Sequence, residues 1–130
     1  MARVARFKIQ NKDAWYHLYS RIAGFRGDYP LSEAAPTRKL IATIEHFTRI
    51  YFCDVAAFTV LGSHYHLVAR FEAPWPVEED ELRARARLMY PSNTSQRQID
   101  EWSKEEWEHF RQRLFDVSEL MRNIQAAFAR

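Results

Sequence analysis

The sequence predicts an α+β domain, in which an antiparallel sheet carries helices on one face and a charged helical insert follows. Three observations predict it. Residues 64–71 alternate Tyr65, Leu67, Ala69 and Phe71 with His64, His66, Val68 and Arg70, the period of two expected of a half-covered strand. Leu40, Ile41, Ile44, Phe47, Thr48 and Tyr51 fall on one stripe at helical spacing. Residues 77–115, finally, are dense in Glu and Arg and differ in character from the rest.

Each element follows in order. Residues 15–22 are rich in aromatic and β-branched side chains and end at Gly24, which predicts a strand. Tyr16, Leu18, Ser20 and Ile22 share one side of it; Trp15, His17, Tyr19 and Arg21 share the other. Residues 25–36, with Gly27, Asp28, Pro30 and Pro36, read as a loop. The helix of the apolar stripe begins with Pro36 near its first turn, covers the sheet, and leaves His46 on the surface. Residues 55–61 and 64–71 form a hairpin around Gly62-Ser63, a two-residue connection with glycine first. Ala73-Pro74-Trp75-Pro76 ends the second strand.

The insert, residues 77–116, reads as helical in two pieces around Pro91-Ser92-Asn93. Ser103-Lys104-Glu105-Glu106 is a capping box that starts a helix near Lys104. Trp102, Trp107 and Phe110 are its expected anchors, and its charge run is a solvated face. A last helix begins near Val117 with Val117, Leu120, Met121, Ile124 and Phe128 on one face. No Gly, Asn or Pro closes it, so the helix is expected to continue in a longer protein. Strand, helix and hairpin in this order predict a ferredoxin-like, RRM-like sheet in a single domain spanning residues 1–130.

A chain of 130 residues, 47% of them hydrophobic, is long enough to bury one core without staples. Cys53 is its only cysteine, which excludes an intrachain disulfide and any need for an oxidising compartment. No run approaches the roughly 18 apolar residues of a membrane span, and the chain reads as cytoplasmic. Charge is unevenly distributed. Residues 1–52 hold nine Lys/Arg against four Asp/Glu, whereas residues 77–116 hold seven against ten. A polyanionic partner would therefore dock on the first half.

The chemistry-bearing feature is His64-Tyr65-His66. Alternation puts both imidazoles on one face of a rigid strand, where they can share a divalent metal ion. The same tripeptide occurs in cupins, in amidohydrolases and in ordinary sheets, so it does not decide the function alone.

Several stretches in the right order resemble the HUH endonuclease superfamily, and within it the REP-associated branch of the single-tyrosine transposases, of the IS200-like type. Ala2-Arg3-Val4-Ala5-Arg6 resembles that branch's basic opening. Tyr16-His17-Leu18-Tyr19-Ser20-Arg21 resembles its first-strand Tyr-His-Val-x-x-Arg pattern. Val60-Leu61-Gly62-Ser63-His64-Tyr65-His66-Leu67-Val68 resembles its core Val-Met-x-Asn-His-φ-His-Leu-Leu motif. Residues 117–128 resemble its Leu-Ser-x-Phe-Met-(Arg/Lys) helix.

The resemblance implies that His64 and His66 are catalytic metal ligands for Mg²⁺ or Mn²⁺, polarising the scissile phosphate of single-stranded DNA for attack by a tyrosine. It implies a hairpin-forming single-stranded DNA partner, no membrane, and admits a homodimer. His17, Tyr19, Arg21 and Arg70 are the expected DNA-binding residues of the same face. Two departures stand out. Ser63 replaces an Asn, and none of Tyr16, Tyr19, Tyr29, Tyr51, Tyr65 and Tyr90 falls at the family's nucleophile position, which lies on a helix beyond residue 128. The chain is thus a fragment of a longer transposase or a derivative that kept binding and lost strand transfer. Two rivals remain: a non-catalytic nucleic-acid-binding sheet, and an unrelated HxH hydrolase or cupin-like protein needing a third ligand, for which only His46 and His109 are left.

Overall fold

The computed structural model describes residues 8–9, 11–22 and 30–129. The basic opening at residues 2–6, the predicted strand end at Gly24, most of the predicted loop and Tyr29 lie outside them. The molecule is α+β, with a three-stranded antiparallel sheet and five α-helices among the described residues. In chain order these are β1 (Ala14–Arg21), α1 (Ala34–Thr48), β2 (Cys53–Val60), β3 (His64–Phe71), α2 (Glu79–Met89), α3 (Asn93–Asp100), α4 (Lys104–Arg113) and α5 (Val117–Phe128). A short 3₁₀ turn at Pro30–Ser32 precedes α1.

Strand order is β1-β3-β2, and both outer strands run antiparallel to β3. β1 and β2 are therefore parallel, joined by α1, with β3 inserted between them: a split β-α-β unit. The hairpin is tight as predicted, with the amide of Leu61 donating to the carbonyl of His64 at 2.8 Å across Gly62-Ser63. That turn is tied down twice more, since Ile22 donates to the carbonyl of Ser63 and Leu31 to that of Gly62.

The alternation of β3 is realised in full. Tyr65, Leu67, Ala69 and Phe71 are buried, while His64, His66, Val68 and Arg70 lie on the opposite, partly open face. Leu40 and Ile44 of α1 and Val117, Leu120, Met121 and Ile124 of α5 join this core. α5 also reaches the buried hydroxyl of Ser20 with the side chain of Gln125. The amide of Ala129 donates to the carbonyl of Gln125 at the end of α5.

The charged insert has three helices rather than two pieces. The break at Pro91-Ser92-Asn93 is present, and Ser92 caps α3 by accepting from the amide of Ser95. The capping box at Ser103 and Glu106 forms as predicted and opens α4. Trp102, Trp107 and Phe110 cluster with Tyr90, but only Phe110 among these is fully buried. The stronger tie to the sheet is Phe52. It stacks on Phe115 at 4.6 Å, lies under the Arg85 guanidinium at 3.8 Å, and donates its amide to the carbonyl of Leu114. Arg85 also donates to the carbonyl of Ile50 at 2.6 Å. Much of the insert's charge is self-paired, through Arg83 to Glu79 and Asp100, Arg87 to Asp100, and Arg111 to Glu108. Exposed pairs of this kind add little stability each, in keeping with a solvated face.

One local feature decides what the far end of the sheet presents. Ala56 is skipped in the β2–β3 register, so Val55 pairs with Ala69 while Ala57 pairs with Val68. A bulge adds one residue to one strand and so reverses which face each following side chain takes. Asp54 thus stands outward opposite Arg70 before the bulge, and Ala57 and Thr59 stand outward opposite Val68 and His66 after it.

Candidate functional site on the open sheet face

Register lays the open face out in four rows. Arg21 stands opposite His64. Tyr19 faces His66, with Thr59 beyond it; His17 faces Val68, with Ala57 beyond; Trp15 faces Arg70, with Asp54 beyond. Three imidazoles thus gather where β1 meets β3.

Nε2 of His17 lies 2.8 Å from Nδ1 of His66. The two ring centroids are 5.0 Å apart and the planes are only 24° from parallel. Nitrogens that close at that centroid separation mean the rings meet edge to edge. The contact is a hydrogen bond in which one nitrogen donates and the other accepts. The ring of Tyr19 sits 5.1 Å from both His64 and His66, and those two rings are 5.4 Å apart at 75°. His64 is placed by the hairpin, its Nδ1 lying 3.4 Å from the hydroxyl of Ser63.

The fit to a cation can be judged from this donor set. With the proton on Nδ1 of His66 and His17 accepting it, the lone pair on Nε2 of His66 is left for a ligand, the usual way a metal-binding imidazole is oriented. His64 and His66 share the exposed face, and hard divalent ions draw their remaining ligands from phosphate and water oxygens. Two imidazoles with ring centroids 5.4 Å apart fit as a partial donor set for such an ion, leaving most of its coordination to oxygen ligands from outside the chain. Among the described residues no group of three or more His, Cys, Asp or Glu side chains is arranged to hold a metal ion. His46 and His109 are exposed on α1 and α4.

Arg70, expected from the sequence as a DNA contact, is held by two carboxylates. Its Nη1 donates to Asp13 at 2.9 Å and its Nη2 to Asp54 at 2.6 Å. The hydrogen bond to Asp54 holds the guanidinium in its charged form, raising its pKa above the ordinary arginine value. Two carboxylates thus offset its charge. Arg21, by contrast, is exposed and has no ion-pair partner among the described residues. Among the described residues the open face therefore carries an unpaired cation, Arg21, at the hairpin end and, with one arginine against two carboxylates, a formal charge of −1 at the Trp15 end.

The tyrosines separate cleanly. Tyr65 is fully buried, as strand alternation requires. Tyr51 is buried with its hydroxyl accepting from Asn123, and burial pushes its phenol well above the ordinary range. Tyr16 lies on the core side against Phe71, and Tyr90 packs on Trp102 in the insert. Of the described tyrosines, only Tyr19 shares the open face with the histidines. Burial pushes the Cys53 thiol up to about 12, so it stays protonated near neutral pH and supplies neither a thiolate ligand nor a nucleophile.

Sequence reasoning missed three residues of this surface. Alternation alone sets Trp15 on the correct side but does not mark it as part of the site; the residue is 58% exposed. Asp13 and Asp54 were missed because the carboxylate clamp on Arg70 depends on a turn residue and on the bulge at Ala56. Among the described residues no helix is long and apolar enough to cross a membrane. Comparison with known proteins finds no matching family model, no matching curated protein and no matching solved structure.

Proposed function

We propose that this chain binds single-stranded DNA on the open face of a ferredoxin-like sheet and holds Mg²⁺ or Mn²⁺ at His64 and His66, in the manner of an HUH-type transposase nuclease. The observation that carries the reading is the grouping of His64 and His66 on one exposed face beside Tyr19 and Arg21. A divalent cation there would supply Lewis-acid polarisation of a phosphodiester. The chain's own residues do the rest. Arg21 meets a phosphate at the hairpin end, His17 fixes the ring of His66, and Tyr19 packs between the two ligands.

Covalent strand transfer needs a nucleophile aligned with the bound phosphate. Tyr19 is the one described tyrosine on the face, and its strand position is not the family's. The expected result with hairpin single-stranded DNA and Mn²⁺ is metal-dependent binding with no covalent band on a denaturing gel. A shifted band abolished by Tyr19→Phe would show instead that strand β1 supplies the nucleophile. The second reading, a binding sheet without metal chemistry, draws on the His17–His66 contact, which engages one nitrogen of a proposed ligand. Mn²⁺ titration separates the two, since a pure binder gains no affinity from the metal.

A further inference from the structure

We infer that the outward side of β1 is a base-stacking track for single-stranded DNA, with Trp15 and Tyr19 as its platforms and Arg21 as its phosphate anchor. This rests on the proposed DNA binding but not on any metal or cleavage step. Every outward residue of β1 from Trp15 to Arg21 is a π-surface or a cation: Trp15, His17, Tyr19 and Arg21.

Exposure sets two of them apart. Trp15 is 58% and Tyr19 50% exposed, two of only six large hydrophobic side chains so exposed among the described residues. A soluble protein gains by covering side chains of this size, and aromatics placed in a row beside cations mark a binding surface. His17 is exposed as well, and its contact with His66 is edge to edge.

Charge selects the occupant and orients it. Arg21, opposite His64 in the register, offers donors to a phosphate at the hairpin end. At the opposite end Arg70 is closed between Asp13 and Asp54, so the surface around Trp15 repays a flat neutral base rather than a phosphate. Successive outward residues on a strand are about 6.7 Å apart, which sets Trp15 and Tyr19 about 13 Å apart, against the 3.4 Å rise of stacked bases. Bases must therefore lie splayed, one to a platform, which a single strand permits and a duplex does not.

The test is fluorescence anisotropy with a labelled oligothymidylate and a probe of equal length and charge that lacks bases, both in EDTA. Trp15→Ala and Tyr19→Ala should each weaken oligothymidylate binding about tenfold without changing its salt dependence. Trp15→Phe should retain most of the affinity, and the abasic probe should bind wild type and both alanine variants alike. Circular dichroism checks that the variants fold. Equal binding of the two probes by wild type, or alanine variants within twofold of wild type, would overturn the track. If the track passes while no metal effect is found, the nuclease reading falls and the stacking surface stands.

Discussion

Nε2 of His17 on β1 and Nδ1 of His66 on β3 meet at 2.8 Å, so the two strands are joined at the candidate site by their imidazoles. Direct cross-strand register pairs His17 with Val68 and His66 with Tyr19, which makes this a diagonal contact across the sheet. Diagonal neighbours lie within reach of ring side chains. The consequence is a fixed tautomer for His66 when His17 accepts.

That relationship makes His17 a positioning residue for metal binding. His17→Ala should weaken Mn²⁺ binding by about 10- to 100-fold, the usual cost of losing an orienting partner. His17→Gln, which keeps an acceptor oxygen, should recover part of the loss. Calorimetry reads both, and equal affinities for wild type and His17→Ala would remove the residue from the site.

The two arginines of the face should separate in salt titrations of DNA binding. Arg21→Ala is expected to reduce the salt slope by roughly 0.7, the loss of one phosphate contact on a single strand. Arg70→Ala should leave it nearly unchanged, because Asp13 and Asp54 already offset that charge. Asp13→Asn/Asp54→Asn would free Arg70 and steepen the slope. A large effect of Arg70→Ala alone would mean that the clamp opens when DNA binds.

Much of this architecture was legible in the chain. The two-residue period of residues 64–71 gave the buried and open faces, and the Ser103–Glu106 spacing gave the start of α4. The bulge was harder to see, although its trace exists. Polar Asp54 and Thr59 are separated by an odd number of positions, so an unbroken strand cannot set both outward. The carboxylate clamp on Arg70 was hidden for that reason, since its Asp54 partner depends on the slipped register. The contact of His17 with His66 was invisible because it is diagonal, and the residue-by-residue register of β1 on β3 that sets it is not written in either strand alone.

The face assignment carries a stability prediction. Leu67 is fully buried and should cost about 2–5 kcal/mol when cut to alanine. Val68, one residue on and facing the other way, should cost about 1 kcal/mol or less. Urea unfolding measures both. Comparable losses would mean that the open face is covered by something besides solvent.

Alkaline stability should follow Cys53. Folded, its thiol keeps a proton up to about 12; unfolded, it releases that proton near 9.0. The folded state therefore binds more protons between these values, and stability falls as pH rises through that window. Tyr51, also raised by burial, adds to the fall at higher pH. The urea midpoint should drop between about pH 9 and pH 11, and Cys53→Ala should flatten the early part of the drop. An unchanged profile in Cys53→Ala would assign the whole loss to other groups.

The most direct measurement is single-stranded DNA affinity with and without Mn²⁺, for wild type and for His64→Ala/His66→Ala. The account predicts that Mn²⁺ tightens binding by the wild type and does nothing for the double variant, while affinity in EDTA stays similar for both. An equal Mn²⁺ effect in the two proteins, or none in the wild type, would contradict a metal site at His64 and His66.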